Sequence, residues 1–183
     1  MNDRHRNSTL PSARKIRAGR AKFWHEQAML DPFDLALLNL IQRDDSQTAD
    51  QLAAHIALSP SAIARRLRRL RADGWIGRTI ALLSSRFTDQ RLRALVFLEL
   101  AEHADLKGKM AVEERLLAVD QVQFCYEVTG ECDLLLLVDC TNMMEFNRFC
   151  DDVLVADPTV RRYESSFIKR EIKFAPFIKL TAA

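Results

Sequence analysis

Apolar residues recur at helical spacing through the first ordered third of the chain and then switch to the two-residue alternation of strands. Asp31-Pro32 opens a helix: Asp caps, Pro stands at the first helical position, and Asp34 falls in the first turn, where the helix N-terminus favours a carboxylate. Leu35, Leu38 and Ile41, with Leu37 and Leu40 beside them, give it a broad apolar face, and Asp44-Asp45-Ser46 ends it. Thr48-Ala49-Asp50-Gln51 matches a capping box and opens a short second helix with Leu52, Ala53 and Ile56 inward. Ala57-Leu58 turns the chain into a third helix with both ends specified. Ser59 is its cap, Pro60 its first residue, Leu58 and Ile63 a hydrophobic staple, and Gly74 the left-handed residue beyond its end. Ile63, Leu67 and Leu70 form its core stripe. Three short helices with a tight turn before the third predict a helix-turn-helix unit over 30–83.

Trp75–Leu83 is predicted as a β segment, either a wing or a dimerising strand, and the polar stretch 84–93 as a linker. Ala94–Leu100 is an apolar run fit for a buried strand. Val112, Leu116 and Val119 then recur on one side of a helix over Leu106–Val119. Val122, Phe124, Tyr126 and Val128 alternate with polar neighbours, Thr129–Asp133 turns the chain at Gly130, and Leu134–Cys140 is a further strand. Asn142 to Glu145 is a second capping box, for a helix with Phe146, Phe149, Val153 and Leu154 inward that stops at Asp157-Pro158. Val160–Lys169 is the fourth strand, and Glu171–Leu180, broken by Pro176, an edge strand or a tail. The order βαββαβ predicts a ferredoxin-like sandwich over 94–183, so the fold class is α+β with two domains.

Charge sharpens the picture. The 183 residues carry a net charge of only +2, but residues 1–27 hold +5, residues 28–80 hold +1 and residues 81–183 hold −4. A basic start joined to an acidic end points to a polyanion partner for the first part alone. Residues 1–29 read as a basic, flexible arm (Arg14, Lys15, Arg17, Arg20, Lys22) that follows a DNA backbone or enters a minor groove; a solubilising tail or a transit peptide shares that composition. On the third helix, Ser61, Arg65, Arg68 and Arg69 lie opposite the apolar stripe, with Arg66 and Arg71 on the flanks. The planar fork of arginine suits phosphate oxygens and guanine edges.

No P-loop, nucleophile elbow or zinc-protease motif is present, and His5, His25, His55 and His103 are scattered. Cys125, Cys132, Cys140 and Cys150 lack metal-ligand spacing and read as core thiols of a reducing compartment. No cofactor or metal is expected, and the longest aliphatic run, Leu134–Val138, is far too short for a membrane span. The expected location is the cytoplasm.

The stretches LDPFDLALLNLIQRD (30–44), LAAHIALSPSAIARRLRRL (52–70), GWI (74–76) and VTGECDLLLLV (128–138) together resemble the leucine-responsive/asparagine-regulator (Lrp/AsnC) transcription regulators, over roughly Leu30 to Leu180. Two positions depart from the family pattern: Ala57 stands where Gly is usual, and Thr79 where an aromatic residue is usual. The resemblance implies a sequence-specific regulator whose third helix reads the major groove of double-stranded DNA through Ser59, Ser61, Ala62, Arg65 and Arg66, with Arg68 and Arg69 on phosphates. It implies a βαββαβ module that pairs chains into a homodimer, with tetramers or octamers built from it, and that binds a small effector, typically an amino acid. That effector would meet Thr129, Gly130, Glu131, Cys132 and Asp133 at a subunit interface. The rivals are a tetrapyrrole-pathway decarboxylase of similar architecture, against which the arginine helix argues, and an architectural DNA-binding protein without an effector.

Overall fold

Side-chain caps start the helices of the helix-turn-helix half where the sequence places them. In the computed structural model, which describes residues 30–101 and 106–181, α1 spans Pro32–Ile41, α2 Ala49–Ala53 and α3 Pro60–Ala72. Reciprocal capping boxes close at Asp31/Asp34 and at Thr48/Gln51. The Ser59 hydroxyl accepts from the Ala62 amide at 3.3 Å. At the other end of α3, Trp75 N–H donates to Leu70 O and Gly74 N–H to Arg71 O, with Gly74 at φ +79°: a Schellman stop that requires glycine at this place. No non-glycine residue takes a positive φ among those described, so the turn at Ala57 does without a left-handed residue. Leu37, Leu38, Ile41, Leu52, Ile56, Ile63, Leu67 and Leu70 close one core, with Leu58 and Trp75 against it.

The basic arm expected over 1–29 lies outside the described residues, as does His103. The β segment expected over 75–83 is not formed. After Gly77 the chain runs without regular structure, and Ile80, Leu82 and Leu83 stand 61–69% exposed. Backbone of strand conformation needs a hydrogen-bonded neighbour, and no described strand lies alongside. The polar stretch that follows carries a short helix, α4 (Ser85–Thr88), capped by Ser84.

The second half has the order β1 (Leu92–Leu100), α5 (Leu106–Leu117), β2 (Val122–Glu127), β3 (Leu134–Cys140), α6 (Met143–Phe149) and β4 (Val160–Phe167). Its four strands form one antiparallel sheet in the order β2-β3-β1-β4, which is the ferredoxin-like topology. The alternate residues Ala94, Val96, Leu98 and Leu100 of β1 and Leu134, Leu136, Val138 and Cys140 of β3 point to one face, where Val112, Leu116, Phe146, Phe149 and Leu154 cover them. The helix after Asn142 continues as a π-helical turn, Cys150–Val155, which takes Leu154 into that core. Asp157, 4% exposed, stops it and accepts from the Thr159 amide while pairing with Arg115 at 2.9 Å, so α5 is tied to the entry of β4.

The chain divides into two compact units. One holds 83–172, and the other holds the described residues up to Leu82 together with 173–181. The C-terminal segment is therefore neither an edge strand nor part of the 94–183 domain in which the sequence placed it. It returns to the helix-turn-helix unit.

At the start of α6 the Asn142 side chain caps the Glu145 amide, but the Glu145 carboxylate reaches past it. It accepts from both the hydroxyl and the amide of Thr141, at 2.6 and 2.7 Å, and from Gln121 at 3.1 Å. These bonds, the Thr141 hydroxyl foremost, pull its pKa from 4.5 down to about 2. The stabilisation is fully present above the ordinary glutamate range and is lost as pH falls through about 2. Glu145→Gln should melt lower than the parent at neutral pH, with the gap in thermal midpoint closing as pH drops from 5 towards 2. A gap that stays constant with pH would contradict this assignment.

Candidate nucleic-acid interface and ligand-binding loop

Helix α3 presents two chemically different sets of arginines. Arg65 and Arg68 project from its exposed side with no hydrogen-bond or ion-pair partner among the described residues, and Ser61 lies one turn before Arg65 on the same stripe. Ala62 is half-buried beside them. The Ser59 hydroxyl is committed to the cap and to the Ser61 hydroxyl at 3.1 Å.

Arg66 and Arg69 are occupied within the unit. The Arg66 guanidinium donates to Asp31 at 2.6 Å and to Asp34 at 2.8 Å, and Arg69 donates to the other oxygen of Asp34. Asp34 is 1% exposed. Its carboxylate also accepts from the Asp31 amide, so its charge is answered from three directions. Burial raises the Asp31 pKa, but the Asp34 amide and Arg66 outweigh it and hold the carboxyl below its ordinary value, while Asp31 and Asp34 raise Arg66. Arg71 pairs with Asp45 at 3.1 Å, and Thr79 donates to the same carboxylate at 2.9 Å, fixing the chain that leaves α3.

The sequence puts Arg65, Arg68 and Arg69 opposite the apolar stripe with Arg66 and Arg71 on its flanks, and Asp34 in the first turn of α1. Its burial between two guanidiniums was missed, because helical spacing shows which residues share a face and not which face a neighbouring helix covers.

The loop 128–133 joins β2 to β3. Gly130 takes φ +138°, and Val128 N–H donates to Asp133 O at 2.9 Å. Asp133 is tied to the sheet: its amide donates to Leu98 O at 2.8 Å and its carboxylate accepts from the Leu100 amide at 2.7 Å. Asp133 and Glu131 line an open cavity of about 300 Å³ with Glu99, Leu100, Ala101, Lys109 and Arg161. Thr129, Gly130 and Cys132 do not line it. Glu99, Lys109 and Arg161 carry no sequence motif: Glu99 and Arg161 are brought in by the sheet, through the register shift at Glu99/Leu100 that opposes Leu100 to Val160, and Lys109 by α5. Lys109 has no ion-pair partner among the described residues. A cavity with cations and carboxylates on opposing elements suits a small zwitterion.

Comparison with known proteins bears on both sites. Residues 30–76 match the family model described as winged helix-turn-helix DNA-binding, and residues 93–176 match that of the Lrp/AsnC ligand-binding domain. A transcriptional regulator from Neisseria meningitidis, solved in complex with L-methionine, is 30% identical and superposes with a TM-score of 0.74 over 81% of this chain and 95% of its own. The chain belongs to the Lrp/AsnC family. The leucine-responsive regulatory protein of Escherichia coli is 28% identical over 148 residues, which are 79% of this chain and 87% of that one. Escherichia coli AsnC, 17% identical over 83% of this chain and 99% of its own, shares the fold with a TM-score of 0.70. The protein is thus a transcription regulator with a DNA-binding and a ligand-binding domain, and the decarboxylase alternative falls away. No helix among the described residues is long and apolar enough to cross a membrane.

The Asp34 cluster gives a direct test. Asp34→Asn removes a buried charge that two arginines of α3 require, and breaking such a pair costs about 3 kcal/mol. Urea unfolding should show that loss in the helix-turn-helix transition. A change under about 0.5 kcal/mol, the ordinary range of surface substitutions, would mean that the arginines do not need Asp34.

Proposed function

We propose that this regulator reads DNA through the stripe Ser61–Arg65–Arg68, with Ala62 beside it, while Arg66 and Arg69 are positioning residues that hold α3 on α1. The observation that carries this reading is that Arg65 and Arg68, on the face opposite Ile63, Leu67 and Leu70, have no partner among the described residues. In this reading Arg65 makes a bidentate contact to a guanine edge and Arg68 meets phosphate. The natural probe is the DNA upstream of the protein's own gene, compared with random DNA of equal length. Specific binding predicts a preference of about a thousandfold, and Arg65→Ala should cost about 1–3 kcal/mol on the cognate fragment alone. An equal loss on both fragments would demote Arg65 to a phosphate contact.

The effector in this reading is an amino acid bound at the cavity beside Asp133, its carboxylate on Lys109 and its ammonium between Glu131 and the Asp133 oxygen that does not accept from Leu100. Supporting it are the charge pattern of that cavity and the L-methionine held by the Neisseria meningitidis relative. Thr129, Gly130 and Cys132 shape the loop around it. L-Methionine at a hundredfold excess over its Kd should stabilise the protein by about 2.7 kcal/mol. Lys109→Ala should abolish that shift, and a shift that survives the substitution would move the site elsewhere.

The same reading makes the protein a cytoplasmic homodimer that can build tetramers or octamers. The sheet face away from α5 and α6 carries Leu95, Phe97, Phe124, Tyr126 and Leu135, with Tyr126, Leu135 and Phe97 in one cross-strand row. Tyr126 is 58% exposed. An apolar sheet face that its own helices leave bare is suited to a second copy of itself, which would bring two α3 helices to a two-fold site.

A further inference from the structure

The outward edge of α1 is already holding a peptide. Asn39 and Gln42, three residues apart, each present a primary amide to the extended segment that follows Pro176. Asn39 Nδ2 donates to Leu180 O at 2.8 Å, and Leu180 N–H donates back to Asn39 Oδ1 at 3.0 Å. Gln42 Nε2 donates to Ile178 O at 2.6 Å, and Ile178 N–H donates back to Gln42 Oε1 at 3.0 Å. Gln42 Nε2 also reaches Asn39 Oδ1 at 3.1 Å, coupling the two amides.

The pattern is that of a β-ladder, with a helix in place of the second strand. Side chains three apart on a helix stand about 5–6 Å apart, and alternate residues of a strand about 6.6 Å. A primary amide alone among side chains sets a donor beside an acceptor, as a peptide unit does. Two further contacts fix the register: the Arg43 guanidinium lies 4.1 Å from the Phe177 ring centroid, and Leu180 packs into the helix-turn-helix core. Ahead of these points the segment is loosely held, with Ile172 85% and Phe174 55% exposed. It is thus anchored at a few points and poised for release.

Its connections matter. The segment is the direct continuation of β4, and where β4 ends Ile168 N–H donates to Arg93 O on β1. On α1, the turn that precedes Asn39 carries Asp34, which holds Arg66 and Arg69 of the recognition helix. Helix α1 therefore stands between the C-terminal segment and α3.

We propose that Asn39, Gln42 and Arg43 form a docking site for an extended peptide, that its occupant is this chain's own Phe177–Leu180, and that docking firms α3 and so regulates DNA binding. The last step rests on the reading that α3 meets DNA, whereas the docking does not.

The test uses the full chain and two double variants that attack the ladder from opposite sides: Asn39→Ala with Gln42→Ala, and Phe177→Ala with Leu180→Ala. Alanine keeps α1 helical, so the first pair removes the amides without threatening the helix. Hydrogen exchange at the Ile178 and Leu180 amides should quicken about tenfold or more in both, and that of the α3 amides with it. Affinity for the upstream DNA fragment should fall about fivefold to tenfold in each, with no further loss when all four substitutions are combined.

Unchanged exchange at Ile178 and Leu180 would overturn the docking itself. Faster exchange there with α3 unmoved, or with DNA affinity within about twofold of the parent, would overturn the regulatory step. Protection of those amides that disappears on dilution would assign the occupant to a second copy and overturn the intramolecular assignment. An unmodified chain that binds no DNA would sink the DNA-reading stripe, while the exchange data would still decide the docking.

Discussion

A buried carboxylate organises the DNA-binding unit. Asp34 sits at the start of α1 with almost no access to water, and a charge so placed requires cations and donors within hydrogen-bonding distance. Arg66 and Arg69 supply them from α3. The consequence is geometric: the angle at which α3 crosses α1 is set by a pair of ionic bonds as well as by Leu67 and Leu70, and a side chain that turned away to find phosphate would strand a charge in the core. The unit thus divides its arginines between holding the helix and facing outward, and α3 gains a fixed orientation from residues that look, in a list of charges, like DNA contacts.

The sheet plays the same part for the ligand-binding unit. Asp133 is held to the sheet as well as to the loop, because its amide and one carboxylate oxygen are bonded to the backbone of β1. The irregularity between Glu99 and Leu100 then turns the end of that strand so that β4 delivers Arg161 beside it. Site and sheet edge are one construction.

Much of this was legible in the residues. Capping residues named the starts of α1, α2 and α3, and the Schellman glycine named the end of α3, since these are local and each has one chemistry that fits. The βαββαβ order followed from periodicity, and the stop of the second helix of the sandwich from Asp157-Pro158. What escaped was non-local. The β segment expected after Trp75 lacks a partner strand among the described residues. Glu99 and Arg161 meet at the cavity beside Asp133 only once strands are aligned, and Lys109 only once α5 packs on the sheet. Asp34 read as a helix-end charge because nothing in its neighbours announces that α3 covers it. The return of residues 173–181 to the helix-turn-helix unit depends on Asn39 and Gln42, two amides that in a sequence are merely the polar side of a helix.

That return also changes what the chain is topologically. Leu92 and Phe167 lie at the same end of the adjacent strands β1 and β4, with Ala94 opposite Phe167, so the polypeptide leaves and re-enters the helix-turn-helix unit through neighbouring threads of one sheet. The DNA-binding unit is therefore built from two separated pieces of sequence, like a purse whose drawstring is the end of the chain. A protease that cuts the exposed stretch around Ile80–Leu83 severs one thread and leaves the other knotted to α1 by hydrogen bonds. Excision of either unit as a clean fragment at that single boundary would take from the DNA-binding core a residue, Leu180, that belongs to it.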